Sequence, residues 1–549
     1  MTTTELGRAR SGEPGLLDRE RTVAKAGFNR WLVPPAALAI HLCIGMSYGL
    51  SVFWLPLSKA IGITKAVACP DLGFIGALTT TTCDWTVADV THVFELGIVF
   101  LGLSAALFGG WLERAGPRKA GIAAAFCWGG GFLIGAYAIS IHQLWLLLLG
   151  MGVIGGVGLG LGYISPVSTL VKWFPDRRGM ATGMAIMGFG GGAMIGSPLA
   201  DLLMRNFATP TSVGIVPTLA IMGLLYFVAM LIGAFGYRVP PAGWRPDGWT
   251  PAASTNALIT AGNVHLDNAH KTPQFWLIWA ILFFNVSAGI GVLSVASPML
   301  QEIFGGSLIG APGTGYALLD PAQKKQVATI GAGFVALLSL FNIGGRFFWA
   351  SMSDKIGRRL TYATFFGLGL LMYGLAPAAA HTAGIAVFVL MIGVILSMYG
   401  GGFATVPAYL ADMFGTQFVG AIHGRLLTAW SLAGVVGPII ITTIRQNGID
   451  AKLPLAQVYD RTLYIMAGFL VVGFICNLLV RPVAARWFMS EGAVASLQSK
   501  GKAGAAASGS YGIGRGGLDA FAIAAWGPIV AVLAWGVYIV LTKAQVLFV

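Results

Sequence analysis

Long apolar runs separated by short polar stretches make up most of the chain. A helix needs roughly 20 mostly apolar residues to cross about 30 Å of hydrocarbon. Twelve runs of this kind lie at residues 33–60, 91–112, 119–139, 143–171, 180–203, 216–236, 274–303, 327–352, 360–380, 384–410, 418–444 and 462–481. A thirteenth covers 521–542. The pattern predicts an all-α integral membrane protein with thirteen spanning helices.

Composition excludes a soluble protein. Hydrophobic residues make up 56% of the 549 residues and charged residues only 10%, whereas soluble domains are about a quarter charged. The 78 glycines fit membrane helices, which approach one another closely through small residues.

The net charge of +13 does not indicate a nucleic-acid partner, because the basic residues alternate between loops instead of forming one patch. Of the 34 lysines and arginines, 23 fall in loops on one side, nine on the other and two within apolar runs. Loops rich in lysine and arginine stay cytoplasmic. We therefore expect a cytoplasmic amino terminus, no cleavable signal in the polar segment 1–30, and a periplasmic carboxyl terminus.

The two halves of the chain are related by a fixed offset of 241 residues. The landmarks that share this offset are Glu113 and Asp354, Pro166 and Pro407, and Gly183 and Gly424. Two six-helix halves in parallel repeat are an architecture that transporters use. The expected segments are a cytoplasmic tail at 1–30, an amino-terminal bundle at 31–236, a cytoplasmic linker at 237–273, a carboxyl-terminal bundle at 274–482, a flexible cytoplasmic linker at 483–520 and an accessory transmembrane helix at 521–542.

The loops after the second and eighth runs share an acid at a helix end, a glycine and basic residues. An acid there can hold the terminus of a neighbouring helix, and glycine permits the tight turn. The loops resemble the signature of the major facilitator superfamily, and the resemblance covers 33–481. It implies the major facilitator fold, with gating or structural roles for Glu113, Arg118, Asp354, Arg358 and Arg359. The first copy is degenerate, with Glu113 for the usual aspartate.

Arg346 lies inside the eighth run, eight residues before Asp354. At about 1.5 Å per residue it is roughly 12 Å deep, where transporters of this architecture hold substrate. Asn342 lies one turn away on the same face. The repeat partner of Arg346 is Ala105, so the halves do not both need the arginine to fold. A buried arginine marks function by default and can bind a carboxylate bidentately. The alternative is an internal ion pair with Glu95.

Four stretches resemble the oxalate/formate antiporter family, which includes bacterial lactate and pyruvate carriers. They are Leu340–Trp349 (LFNIGGRFFW), Gly420–Ser431 (GAIHGRLLTAWS), Gly162–Pro166 (GYISP) and Trp173–Gly179 (WFPDRRG). In that family the eighth-helix arginine binds the substrate carboxylate, and tyrosines of the fourth and tenth helices help to close the site. The resemblance gives these roles to Arg346, Tyr163 and Tyr399, with packing as the alternative for the tyrosines. It also implies a secondary carrier in the inner membrane of a bacterial cell, working by alternating access.

Trp430 marks a departure from this family. The oxalate exchangers carry a lysine after a Thr-Ala pair in the eleventh helix, as a second cation for the second carboxylate, and this chain has Trp430 there. A dianion would leave a buried carboxylate unpaired, which is costly. We therefore expect a monocarboxylate such as lactate, pyruvate or formate rather than oxalate. The residues expected to bind it are Arg346, Asn342, Tyr163, Tyr399 and Trp430.

Other polar residues in the runs carry weaker hypotheses. His41 and Glu95 are candidates for carrying a coupled proton, with an interhelical hydrogen bond as the alternative for each. Arg425 is expected to reach the cytoplasmic surface or to meet Asp412, in a gating or structural role.

Cys69 and Cys83 share the first external loop, where the oxidising compartment would allow a disulfide between them, and free thiols are the alternative. The cysteines lack metal-site spacing, and we find no nucleotide motif and no nucleophile–base pair. The expectation is therefore a monomeric carrier, not an enzyme, with no cofactor and with a proton or counter-anion as its coupling partner. The alternatives are a carrier of another anion or an amino acid, and a non-transporting sensor with a transporter fold. Flux measured in proteoliposomes separates a sensor from a carrier.

Overall fold

The computed structural model describes residues 15–68, 72–241, 243–250, 256–490, 492–494, 520–544 and 547. Thirteen helices in these ranges are long and apolar enough to cross a membrane. They are α1 Arg30–Leu57, α2 Val87–Ala115, α3 Pro117–Ser140, α4 Leu144–Trp173, α5 Arg178–Phe207, α6 Ile215–Gly236, α7 Pro273–Ile309, α8 Pro321–Ile356, α9 Arg358–Thr382, α10 Ile385–Phe414, α11 Val419–Asp450, α12 Asp460–Leu479 and α13 Ala520–Thr542. Each matches one apolar run to within six residues at either end. The prediction of thirteen spans is confirmed.

Helices α1–α6 pack on one another, as do α7–α12, and the two groups meet along a seam. At this seam α5 packs against α8, and α2 packs against α11. The repeat relates α2 to α8 and α5 to α11. The seam therefore contains two copies of one helix–helix contact.

Several of these helices depart from regular α-helix. Within α1, the segment Gly45–Phe53 winds as a 3₁₀ helix, and Leu148–Ile154 of α4 forms a π-helical segment. A Cβ atom on Gly45 would lie 2.2 Å from the Phe189 carbonyl oxygen, so α1 and α5 approach too closely for any other residue there. Irregular backbone at membrane depth is tolerated where it is buried in protein or lines a cavity.

Each signature acid caps a helix of the other half. Glu113 accepts a hydrogen bond from the Gly420 amide, at 3.1 Å, at the start of α11. Asp354 accepts hydrogen bonds from the Gly179 and Met180 amides, at 2.8 and 2.9 Å, at the start of α5. The 241-residue offset takes Glu113 to Asp354 and Gly179 to Gly420. We call the end of the bundle that carries these contacts the motif face, and the other end the opposite face.

Helix α13 lies outside both halves and covers the seam between α5 and α8. Its Leu533 packs against a small cluster that includes Met194 of α5 and Ile343 of α8. The Trp526 indole donates a hydrogen bond to the Trp31 carbonyl at 3.1 Å. This contact ties the first part of α13 to the start of α1, at the motif face. The segment 495–519 that precedes α13 lies outside the described residues.

The loop between α1 and α2 is organised by Asp84, which accepts hydrogen bonds from three backbone amides of the same loop at 2.7–3.0 Å. The His142 ring stacks on Trp85 with centroids 4.0 Å apart, and burial lowers the pKa of His142. Cys83 is disulfide-bonded. Cys69 lies outside the described residues, so the Cys69–Cys83 pair stays a prediction.

Candidate functional site

Arg346 is the centre of a buried polar site between the two halves, and it is 1% exposed. Its Nε donates to Asn342 Oδ1 at 2.9 Å, and its Nη1 donates to the Ile186 carbonyl of α5 at 3.1 Å. The first contact is made one turn away on α8, and the second crosses the seam. Among the described residues Nη2 has no hydrogen-bond partner, and no ion pair includes Arg346. The buried cation therefore keeps one donor nitrogen unused.

Aromatic rings from both halves surround this guanidinium. Arg346 Cζ lies 5.8 Å from the centroid of the Phe189 ring and 5.5 Å from that of the Phe403 ring. Trp430 packs against both phenylalanines, at centroid distances of 5.3 and 4.7 Å. Tyr163 adds a ring 5.3 Å from Trp430. We call Phe189, Phe403, Trp430 and Tyr163 the aromatic cage.

Three tyrosine hydroxyls also face the site. The Tyr399 hydroxyl of α10 lies 3.0 Å from the Tyr48 hydroxyl of α1, so this hydrogen bond crosses the seam. The Tyr48 side chain also hydrogen-bonds Arg346, and the hydroxyls of Tyr163 and Tyr399 lie within range of its charge. In the part of the chain that is described, neither the Tyr163 hydroxyl nor Trp430 Nε1 has a hydrogen-bond partner. The structure thus brings together all five residues that the sequence predicted to bind substrate.

A cavity of about 280 Å³ begins at Asn342 and extends toward the opposite face. Its walls come from both halves and include Ser51 and Thr91 on one side and Leu293 and Ser339 on the other. Ser51 and Thr91 lie near the ends of α1 and α2 that are remote from the motif face. The volume is near the lower end of the range for small-molecule sites.

The halves are closed against each other at the motif face. Asp412 of α10 accepts hydrogen bonds from Arg178, at 2.8 Å, and from Arg358, at 3.0 Å. Arg358 also pairs with Asp354 at 2.7 Å. Arg178 belongs to one half and the other three residues to the other half, so this network locks the seam. With the cavity on the far side of Arg346, the site faces away from the motif face.

The remaining charged residues of the signature lie outside this network. Arg118 donates to the Leu16 carbonyl at 2.8 Å, and Arg359 donates to the Leu478 carbonyl at 2.6 Å. In the first copy, Lys172 pairs with Glu113 at 2.6 Å. The degenerate first loop therefore caps its helix without a guanidinium–carboxylate network.

Two alternatives raised by the sequence do not hold. Glu95 does not pair with Arg346: its carboxylate lies 2.6 Å from His92, one turn earlier on α2, and its side chain is 52% exposed. His92 precedes Glu95 by three residues on the same face of α2 and is therefore the nearer partner. Arg425 does not meet Asp412, because Arg178 and Arg358 occupy that carboxylate.

Arg425 instead contacts the linker between the halves. Its Nη1 donates to the Leu266 carbonyl and lies near His270 Nδ1, both at 2.8 Å.

His41 is fully buried, and its ring nitrogens lie 2.5 Å from the Ala185 carbonyl oxygen and 3.2 Å from the Tyr163 carbonyl oxygen. These contacts fit the interhelical hydrogen bond that was the alternative for His41.

Sequence reasoning missed Tyr48, Phe189 and Phe403. Phe403 follows Tyr399 by one helical turn, and Tyr48 follows His41 by two, so both lie on helix faces that already carried a candidate. For Phe189 we find no signal in the sequence, because phenylalanine is ordinary in any membrane helix.

The family model of the Major Facilitator Superfamily matches residues 38–438. The chain belongs to the major facilitator superfamily. This match, the thirteen helices and the seam described above make it a multi-pass membrane transporter.

Curated relatives are similar over most of the chain. The chain is 25% identical to the oxalate:formate antiporter of Oxalobacter formigenes over 450 residues, which cover 81% of this chain and 92% of that protein. It is 23% identical to monocarboxylate transporter 11 of Homo sapiens, covering 76% and 78% of the two chains. It is 25% identical to apicoplast pyruvate carrier 1 of Toxoplasma gondii, covering 59% and 64%.

Solved structures confirm the fold. The proton:xylose symporter XylE matches with a TM-score of 0.55 at 14% identity, covering 81% of this chain and 94% of that one. The transporter FucP in its outward conformation matches with a TM-score of 0.54 at 14% identity, covering 83% and 100%. The prediction of the major facilitator fold is confirmed.

Proposed function

We propose that this protein is a secondary carrier of small monocarboxylates and that Arg346 binds the carboxylate. The observation that carries the proposal is the unused Nη2 of a buried guanidinium whose hydrogen-bond partners, Asn342, the Ile186 carbonyl and Tyr48, are all neutral. A buried charge without a counter-ion is unfavourable by several kcal/mol. A substrate carboxylate supplies that counter-ion and accepts hydrogen bonds from a planar fork of donors.

The aromatic cage argues for one carboxylate rather than two. Phe189 and Phe403 lie beside the guanidinium, and Trp430 packs against both. A dianion would place its second charge against these rings, which carry no positive charge and a single donor, the Trp430 N–H. Lactate, pyruvate and formate leave no second charge to bury.

The relatives support a small carboxylate as the substrate, since their names include oxalate, formate, monocarboxylate and pyruvate. The preference for one carboxylate rests on the aromatic cage. We further propose that the motif face is cytoplasmic, because the basic loops lie there. The carrier then works in the inner membrane of a bacterial cell by opening the site alternately to either side, and this conformation faces the periplasm. The energy comes from a proton gradient or from a counter-anion.

The test is binding and uptake of lactate, pyruvate, formate and oxalate by the purified carrier and its variants. Arg346→Gln should weaken carboxylate binding by about 2–5 kcal/mol, which is about thirtyfold or more. Arg346→Lys should recover little, because an ammonium does not reproduce the bidentate fork. The control is Arg205→Gln, which removes an exposed arginine of α5 that pairs with Asp201.

If Arg346→Gln binds these acids as tightly as the wild type does, Arg346 does not bind the carboxylate. If the wild type binds none of the four acids, the substrate class is wrong. Binding without flux in proteoliposomes would indicate a sensor instead of a carrier.

A further inference from the structure

A second group of buried polar atoms lies on the motif-face side of the aromatic cage and shares Tyr163 with it. His423 of α11 is fully buried, and neither ring nitrogen has a hydrogen-bond partner among the described residues. Its ring lies 5.9 Å from the ring of Tyr163 on α4, whose hydroxyl is also unpartnered in the described part of the chain. Buried polar groups nearly always have a partner. Three unpaired polar atoms in one place therefore need an explanation.

His423 lies on the part of α11 that packs against the other half. One turn before it, the Gly420 amide binds Glu113 of α2. The next residue, Gly424, is so close to α2 that an added Cβ atom would lie 2.2 Å from the Ala105 carbonyl oxygen. His423 and Tyr163 thus come from different halves and face each other across the seam.

His423 also lies in line with the proposed substrate site. It precedes Trp430 by seven residues, which is two turns and about 10 Å along the same side of α11. Tyr163 contacts both residues, at ring distances of 5.3 Å from Trp430 and 5.9 Å from His423. A molecule that leaves the cage toward the motif face passes these two side chains.

We propose that His423 and Tyr163 form a second subsite for the substrate carboxylate, occupied when the motif face opens. The proposal rests on the function proposed above. Opening the motif face moves α11 away from α2 and α4 and exposes both side chains to the path. A neutral imidazole donates one N–H and a tyrosine donates its O–H, and a carboxylate accepts both. When the substrate leaves Arg346, its carboxylate then accepts hydrogen bonds from His423 and Tyr163. Without them it would lose its hydrogen bonds in an apolar environment, which is energetically costly.

The subsite predicts an effect on one side of the membrane only. His423→Leu removes both ring nitrogens at similar size, and His423→Gln keeps a donor. Uptake of labelled pyruvate and labelled formate is measured in right-side-out and inverted membrane vesicles. For His423→Leu we expect KM from the motif face to rise about tenfold or more, and KM from the opposite face to stay within about twofold. His423→Gln should recover most of the affinity at the motif face.

Two further variants keep the test independent of folding. Tyr163→Phe removes a single oxygen atom and should raise KM from the motif face. Because Tyr163 also belongs to the aromatic cage, its KM from the opposite face is not used to test the subsite. Thr462→Val removes another buried hydroxyl without a partner in the described chain, on α12 within one half, and should change neither value.

Three results would overturn the subsite: unchanged KM on both sides, an equal rise on both sides, or a glutamine variant no better than leucine. If His423→Leu does not insert, His423→Met, which also lacks both ring nitrogens, takes its place and is compared with His423→Gln. If the wild type takes up neither acid from either side, the proposed function fails, and the subsite fails with it. If the wild type takes up the acids and all variants have the same KM as the wild type, the subsite is overturned but the proposed function stands.

Discussion

The carboxylate of Asp354 lies 2.8 Å from the amide nitrogen of Gly179, across the seam between the two halves. Asp354 ends α8, and Gly179 begins α5, so an acid at the end of one helix neutralises the exposed amides at the start of another. The same carboxylate binds Arg358, which also holds Asp412. Asp354 therefore closes the motif face both directly, through the amides of α5, and through Arg358, which links it to Asp412.

Replacing Asp354 with asparagine should open the motif face. The side chain keeps its shape but loses its charge, which weakens hydrogen bonds of about 1.5–3 kcal/mol each. Spin labels at the exposed positions Arg177 and Lys355, one in each half, should report a longer distance across the seam in a larger fraction of molecules. The control is Asp89→Asn, because Asp89 belongs to the capping box of α2 at the opposite face. An unchanged distance distribution for Asp354→Asn would mean that this acid does not hold the seam.

Cys69 and Cys83 should form a disulfide on the periplasmic side. Cys83 is disulfide-bonded, and the charge distribution places the loop in an oxidising compartment. A membrane-impermeant maleimide applied to intact cells should label the loop only after reduction. The control is Cys43, which is buried and free and should stay unlabelled in both conditions. Labelling that occurs only from the cytoplasmic side would reverse the assigned topology.

A chain that ends near Lys500 should keep α1–α12 inserted and should retain measurable transport. The repeat is complete by about residue 481, and α13 packs on the outside of the seam. Its loss should lower the melting temperature, because apolar side chains such as Met194 and Ile343 lose their cover. Melting temperature and uptake are measured on the same preparation. A truncated chain that inserts normally but transports nothing would show that α13 takes part in the mechanism.

The sequence predicted the helices and the central arginine for different reasons. The helices follow from run length, since a membrane leaves the backbone few alternatives. Arg346 stood out because a charge at that depth is expensive and because its repeat partner, Ala105, is apolar. Both arguments depend only on the position of a residue along its own helix. Neither requires knowledge of how the helices pack against one another.

Contacts between helices were harder to predict. Glu95 was a plausible partner for Arg346 by depth alone, but depth does not say which way a side chain points, and His92 was one turn away. Phe189 and Phe403 resemble any lipid-facing phenylalanine until the seam is known. The unpaired nitrogens of His423 are likewise a property of packing, which no local pattern records.

Replacing Trp430 with lysine should shift binding toward a dicarboxylate. Trp430 packs against the two rings that flank Arg346, so a lysine there enters the same compartment as the guanidinium. A second buried cation should bind the second carboxylate of oxalate, and the ratio of oxalate to formate affinity should rise about tenfold or more. Without ligand, the unpaired ammonium should lower the melting temperature, and oxalate should restore it because it binds the folded state.

The control for this prediction is Trp430→Met, which removes the indole and fills part of the space without a charge. Loss of the ring alone enlarges the site and should change the affinity for formate and oxalate together. Only the lysine variant should favour oxalate, and only its melting temperature should depend on oxalate. If the methionine and lysine variants show the same ratio, position 430 does not select the charge of the substrate. The preference for one carboxylate must then come from another part of the cage, with Tyr163 and Tyr48 the next residues to replace.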